Sequence, residues 1–384
     1  VRASGIILLA LALWQSLAGW ATAADPEKQP AGLPPAHVLD HGDLFRPASL
    51  GGGDLILLSL AFSPDGKTIA SAGGGSSAAD APALGEIRLW EVATGTLLLT
   101  LAVEKGIVFD VKFSPDGQLL AAASGPGTPV RSTPGEIRLW NPATGRLVRK
   151  LVGHDCGAYV VAFSPDGARL ASGGIATIDK AKIGPVRGGH ATGDLKLWDL
   201  KTCEQLWTRG GHSGTVGVLV FSPDSRTLVS SGGLFDGQVK LWDVAAGTEL
   251  GRLPLEAEVV EPVAFDTKGE NLSILSLGLA GKEQVSPFVV QVSRWDVRNK
   301  RRSDAVQIKN GNAYRMALSR RGDLLACACH DGIKIYDVAK QLEVRFLPSK
   351  HRMRPVAFSP KDDFLAAGSD DGTVKIWSAA KLRQ

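Results

Sequence analysis

The side chains that could do metal or covalent chemistry are few and poorly spaced for it. Histidines stand at His37, His41, His154, His190, His212, His330 and His351. None of them forms HExxH or HxH, the spacings that bring two imidazoles to one zinc ion. The four cysteines, Cys156, Cys203, Cys327 and Cys329, contain no CxxC or CxxCH, which excludes the common zinc-ribbon and haem-attachment patterns. Cys327, Cys329 and His330 imitate a metal cluster. Residues 327 and 329 fall on one strand and point to one side, so they read as free thiols packed in a core. Cys156 and Cys203 are expected on opposite faces, with no disulfide between them. Gly-Gly-Gly at 51–53 and 73–75 lacks the Lys-Ser/Thr of a phosphate loop, and no GxSxG lies on a strand-to-helix turn. No catalytic, cofactor or metal residue is assigned, and no enzyme activity is expected.

Composition bounds the elements that position the remaining candidates. Of 384 residues, 45 are glycine and 21 proline, which implies many turns and short strands. Hydrophobic residues make up 44% and charged residues 21%, enough apolar material for a core. A net charge of +4 is too weak to argue for nucleic acid. Residues 1–23 read as a signal peptide: Arg2, an apolar run from Gly5 to Trp14, then the small residues Ala21-Thr22-Ala23 before the cut. Leu17-Ala18-Gly19 resembles a lipoprotein box, but Trp20 stands where its cysteine belongs. An uncleaved anchor over Gly5–Ala24 is the other reading. Both put the bulk of the chain outside the cytoplasm, periplasmic or extracellular. Residues 24–39, rich in proline, read as a linker before the body at 40–384.

That body is repetitive. Ala61-Phe62-Ser63-Pro64-Asp65-Gly66 recurs from Lys112, Ala162 and Val220, and in degenerate form from Ala264, Ala317 and Ala357. A second phrase ends each copy at Trp90, Trp140, Trp198, Trp242, Trp295, Tyr336 and Trp377. From each of these aromatic residues to the Phe (or Leu318) of the next copy is 23 residues five times and 22 the sixth. From Phe to Trp within a copy the distance runs 28, 27, 35, 21, 30, 18 and 19. One connection is therefore fixed and another tolerates insertion. Ser-Pro-Asp-Gly is a tight turn between apolar β-formers, and E-I-R-L-W alternates as a strand does. Four strands per copy make a small antiparallel sheet that cannot bury both faces alone, so copies must stack.

These phrases resemble the WD-repeat β-propeller family over about residues 40–384. The family's closing dipeptide stands at Trp198-Asp199, Trp242-Asp243 and Trp295-Asp296, and its opening Gly-His at Gly153-His154 and Gly211-His212. The resemblance implies an all-β, seven-bladed propeller with four antiparallel strands per blade. It also implies an intrablade hydrogen-bonded set, which fits His212, Ser230, Asp236 and Trp242. The third unit offers His154, Ser172 and Trp198 but Thr192 in the acid's place, and units one, two and five have few or none of these groups. Only seven residues follow Trp377, too few for an outer strand. An N-terminal strand near 44–50 is therefore expected to close the last blade.

The resemblance places the variable connection, between strands b and c, on the same face as the d–a connections. The long insertions at Gly73–Gly85, Ser124–Gly135, Gly174–Gly193 and Leu277–Val290 thus all elaborate one face, as a binding surface would. Lys180, Lys182, Arg187 and His190 in the longest one favour acidic partners. Residues four before the unit Phe should ring the channel mouth: Leu58, Phe109, Tyr159, Gly217, Glu261, Tyr314 and Arg354, with Phe235 and His330 on the same rim. Aromatic residues and Arg are the types enriched at interface hot spots. The functional expectation is a non-catalytic, monomeric scaffold for a protein or peptide partner, binding no nucleic acid and no membrane after signal cleavage, with no cofactor. The rival expectations are an exported propeller enzyme, lactonase-like or quinone-dehydrogenase-like, and a domain of a larger extracytoplasmic complex.

Overall fold

Each Ser-Pro-Asp-Gly phrase ties itself into a turn. Ser63 Oγ donates to Asp65 Oδ1 at 2.6 Å, and that oxygen also accepts from Lys67 N at 3.0 Å. Ser63 Oγ accepts from Thr68 N and Ser63 O from Gly66 N, both at 2.9 Å. Gly66 holds φ at 77°, a conformation that a Cβ would strain. The same bonds recur at Ser114–Asp116, Ser164–Asp166 and Ser222–Asp224. Serine donation holds the Asp65, Asp116 and Asp224 carboxyls below the usual carboxylate range.

A computed structural model describes residues 33–41, 56–75, 84–103, 106–126, 134–178, 191–233, 236–255, 259–279, 288–309, 313 and 315–383. After β1 (His37–Asp40) the turns join strands into blades. Blade 1 holds β2 (Ile56–Phe62), β3 (Thr68–Gly75), β4 (Leu84–Glu91) and β5 (Leu97–Val103). Blade 2 holds β6 (Ile107–Phe113), β7 (Leu120–Gly125), β8 (Gly135–Trp140) and β9 (Leu147–His154). Blade 3 holds β10 (Ala158–Phe163), β11 (Arg169–Ile178), β12 (Ala191–Asp199) and β13 (Gln205–Ser213). Blade 4 holds β14 (Val216–Phe221), β15 (Thr227–Gly232), β16 (Val239–Asp243) and β17 (Glu249–Leu253). Blade 5 holds β18 (Val259–Phe265), β19 (Asn271–Leu279), β20 (Phe288–Asp296) and β21 (Arg301–Lys309). Blade 6 holds β22 (Arg315–Leu318), β23 (Leu324–Ala328), β24 (Gly332–Asp337) and β25 (Leu342–Pro348). Blade 7 takes β26 (Met353–Phe358), β27 (Phe364–Ser369) and β28 (Thr373–Ser378) from the end of the chain and β1 from its beginning. A four-residue helix α1 (Ala379–Leu382) follows. The fold is an all-β, seven-bladed propeller with four antiparallel strands per blade, with almost no helix.

The core lies between blades. Small residues on the second strands let neighbouring sheets approach: Ala70 and Ala72, Ala121 to Ala123, and Ala366 and Ala367 are all fully buried. Ile87, Leu89 and Leu101 of blade 1 pack with Val108, Val111 and Trp140 of blade 2, and equivalent clusters recur around the ring.

Closure comes from an N-terminal strand, but not from residues 44–50, which lie outside the described residues, as does the expected signal segment. β1 pairs antiparallel with β28, from His37 opposite Ile376 to Asp40 opposite Thr373. The body therefore begins before residue 40, inside the stretch expected to be linker. Leu39, at 1% exposure, packs with Leu57, Ile69, Trp90, Val374 and Ile376, so one side chain joins blades 7 and 1. Leu33 O accepts from Trp377 Nε1 at 3.1 Å.

Leu39→Ala should cost about 2–5 kcal/mol, the usual range for deleting a buried leucine side chain. Urea unfolding should register that loss, whereas Val38→Ala, on the exposed side of the same strand, should leave the midpoint nearly unchanged.

Candidate functional site

The inner strands carry a recurrent irregularity. Register with the second strand skips one residue between Leu57 and Ser59, between Val108 and Asp110, between Ala158 and Val160, and between Val216 and Val218. The skipped residues are Leu58, Phe109, Tyr159 and Gly217. A bulge leaves its extra residue unpaired and re-aims the side chain, a device common beside functional sites. Four of the mouth positions counted from the unit Phe are therefore bulge residues. In blade 7 the skip covers Arg354 and Pro355. In blade 5 it falls at Val263, so Glu261 pairs regularly with Leu275.

Phe109 and Tyr159, on consecutive blades, meet as a tilted aromatic pair with ring centroids 4.6 Å apart. Both are part-exposed. The Tyr159 hydroxyl is buried and has no hydrogen-bond partner among the described residues, and burial raises its pKa. The Tyr159 ring lies over Gly157, where a Cβ would stand 3.1 Å from it. Below the pair, buried Asp110 ties three inner strands together. Its carboxylate accepts from Ser59 Oγ at 2.9 Å, Val161 N at 3.1 Å and Lys112 Nζ at 2.7 Å.

Among the described candidates, Arg354 and His330 stand apart from this pair. Arg354 Nε lies 2.8 Å from Asp370 Oδ1 in its own blade. His330 is exposed in the short turn between β23 and β24. Phe235 and Tyr314 lie outside the described residues, as does the Glu261 side chain. Lys180, Lys182, Arg187 and His190 also lie outside them. The insertions begin as hairpin extensions, with pairing carried to Gly75–Leu84, Ile178–Ala191 and Leu279–Phe288. Cys327 and Cys329 are buried in the core of blades 5 and 6, where burial pushes the Cys329 thiol up to about 12.

The hydrogen-bonded sets are more numerous than the motifs suggest, and they bridge blades: His154 ends β9, His212 lies in β13 and His41 follows β1, each reaching the serine of the next blade. In blade 4, His212 Nδ1 lies 2.6 Å from Asp236 Oδ2 and Nε2 2.7 Å from Ser230 Oγ, which accepts from Trp242 Nε1 at 2.8 Å. The carboxylate only accepts, so Nδ1–H donates to it and Nε2 accepts from the serine. Burial would raise the Asp236 pKa, but donation from His212 and Ser213 holds it below the usual range. Blade 3 has the same set, with Asp194 rather than position 192 as the acid. His154 stands 2.9 Å from Asp194 and 2.7 Å from Ser172, which accepts from Trp198 at 2.8 Å. Blade 1 has one too: His41 Nε2 is 2.6 Å from Ser71 Oγ, which accepts from Trp90 at 2.8 Å, and Nδ1 is 3.7 Å from Glu86. Asp194 and Glu86 both sit four residues before their tryptophan. In both blades the acid stands on the third strand, whereas Asp236 of blade 4 stands in the connection before it.

Comparison with known families finds the same repeat. The WD40 family, described as "WD domain, G-beta repeat", matches residues 95–141, 145–180, 203–243 and 356–378. The chain carries WD40 repeats. Similar curated proteins include "Periodic tryptophan protein 2" of Arabidopsis thaliana, 27% identical over 197 residues, covering 48% of this chain and 20% of that protein. "Autophagy-related protein 16" of the same plant is 26% identical over 199 residues, covering 50% of this chain and 36% of its own length. "Actin-interacting protein 1" of Caenorhabditis elegans is 27% identical over 175 residues, covering 44% and 26%. The chain thus spans well under two thirds of each of these relatives. The WD40 matches fall on blades 1 to 4 and blade 7, and the degenerate blades 5 and 6 complete the ring structurally.

Two outcomes follow. Burial pushes His41 below its ordinary 6.5 and Arg88 adds to this, against the pull of Glu86 and Asp40. Below pH 6.5 the unfolded chain then binds protons that the native state refuses, so stability falls as pH falls. Urea unfolding between pH 7 and 5 should show that slope, and His41→Gln should flatten it. Asp110→Ala leaves buried donors unpaired and should cost about 2–4 kcal/mol, read as a lower thermal midpoint.

Proposed function

We propose that this WD-repeat propeller is a non-catalytic scaffold. It works outside the cytoplasm once residues 1–23 are removed, and it holds a peptide or protein partner on the face that bears the d–a and b–c connections. The Phe109–Tyr159 pair carries the reading. Two aromatic side chains sit on bulged residues of adjacent inner strands, over a buried carboxylate that locks those strands. Rigid aromatic anchors provide contact area at low entropic cost. Arg354 and His330, with Glu261, Phe235 and Tyr314, form the remainder of the proposed rim.

The name of one similar protein, "Actin-interacting protein 1", is that of an interaction protein, which fits the class of function without naming a partner for this chain. Affinity capture from an extracytoplasmic fraction tests the reading. Phe109→Ala with Tyr159→Ala should abolish capture of the principal partner while the circular-dichroism spectrum is kept. Undiminished capture by a folded double variant would move the site elsewhere.

A further inference from the structure

The seven outer strands form an internal comparison. Each is the last strand of its sheet, so one row of its backbone groups is unpaired with any described strand. Such edges invite pairing, and proteins block it with charge or proline. Six of the seven are blocked in this way. β9 carries Arg149 and Lys150, β13 Arg209, β17 Glu249 and Arg252, β21 Arg301, Arg302 and Asp304, β25 Glu343 and Arg345, and the short β1 Asp40. β5 reads LLLTLAV, with no charge, no proline and no glycine. Its Leu97 is 44% and its Leu98 49% exposed. Next to it, β9 exposes Leu147 at 39% and Val152 at 59%. The strand is held firmly in place: Leu99 and Leu101 lie against the Gly145 turn of blade 2, and β5 pairs with β4 from Leu97 to Val103.

We infer that β5 pairs antiparallel with β5 of a second copy of this chain, joining two blades into one eight-stranded sheet about a two-fold axis. This goes beyond the monomer expected from sequence and is independent of the channel-mouth site. A two-fold contact sets a patch against itself, so the patch must complement itself. An axis at Thr100 sets Leu97 opposite the partner copy's Val103, Leu98 opposite its Ala102 and Leu99 opposite its Leu101. Every facing pair is then apolar, and Thr100 faces its own equivalent, a favourable cross-strand pair. The same operation on β9 would crowd Arg149 and Lys150 against their own copies. An uncharged edge gains nothing from a charged partner strand, so a second β5 is the occupant that its chemistry fits.

Sedimentation of the full chain at tens of micromolar tests this. The wild type should run at twice the chain mass. Thr100→Lys, which sets two like charges face to face on the axis, should run at the chain mass with an unchanged circular-dichroism spectrum, and Val152→Lys should remain dimeric. Should Thr100→Lys fold poorly, Thr100→Cys provides a second arm: it should form a covalent dimer on oxidation that the wild type, with its four native thiols, does not form. A wild type that stays monomeric overturns the inference, as does a dimer that survives Thr100→Lys. A monomer that instead captures an uncharged extended peptide would also overturn it, by seating a different chain on this edge.

Discussion

Everything in this molecule depends on the pairing of β1 with β28. A single blade is a four-stranded sheet with two apolar faces, and it can bury them only against neighbours. A ring does this for every blade at once, provided that the first and last blades meet. Here the meeting is made by four residues of ladder, with Leu39 buried between the two blades and Leu33 capping the Trp377 indole. His41 follows directly and enters blade 1, where it reaches Ser71 and Trp90. One short segment thus completes blade 7 and supplies the histidine of blade 1.

Rigidity is then built from repeated small devices. Serine–aspartate turns fix the a–b corners on one face. The histidine–serine–tryptophan sets fix the opposite, d–a corners in blades 1, 3 and 4, and Asp110 cross-links the inner strands of blades 1 to 3. These bonds are individually modest. Their joint effect is to hold the bulged residues of the inner strands in place, which is what the proposed docking surface requires.

The fold was legible because its spacing is physical. The fixed 23-residue interval reflects a short d–a connection repeated between successive blades, and the variable interval reflects hairpins that extend beyond the sheet. What the spacing could not show is where that rule fails. In blades 3 and 4 histidine and serine are 18 residues apart, and in blade 1 they are 30 apart. The twelve extra residues in the first d–a connection displaced the expected closing strand from His37–Asp40 to 44–50 and hid His41, which also follows Asp40 rather than a glycine. Asp194 escapes the motif because it stands on β12 itself, two residues after the position where the motif has its acid. At the mouth, counting four back from the unit Phe reached the bulge in blades 1 to 4. In blade 5 the bulge sits two residues later, so the same count reached a regularly paired Glu261. Uncharged β5 could be read from sequence, but its meaning needed the structure to show that it is an edge.

The central claim is that a partner docks at the mouth of this closed ring. Hydrogen exchange on the complex formed with a captured partner tests it most directly, because it reports which backbone segments lose access. The account predicts new protection at the starts of β6 and β10, around Phe109 and Tyr159, with the Ser-Pro-Asp-Gly turns unchanged. Protection confined to those turns, with β6 and β10 unaffected, would contradict it.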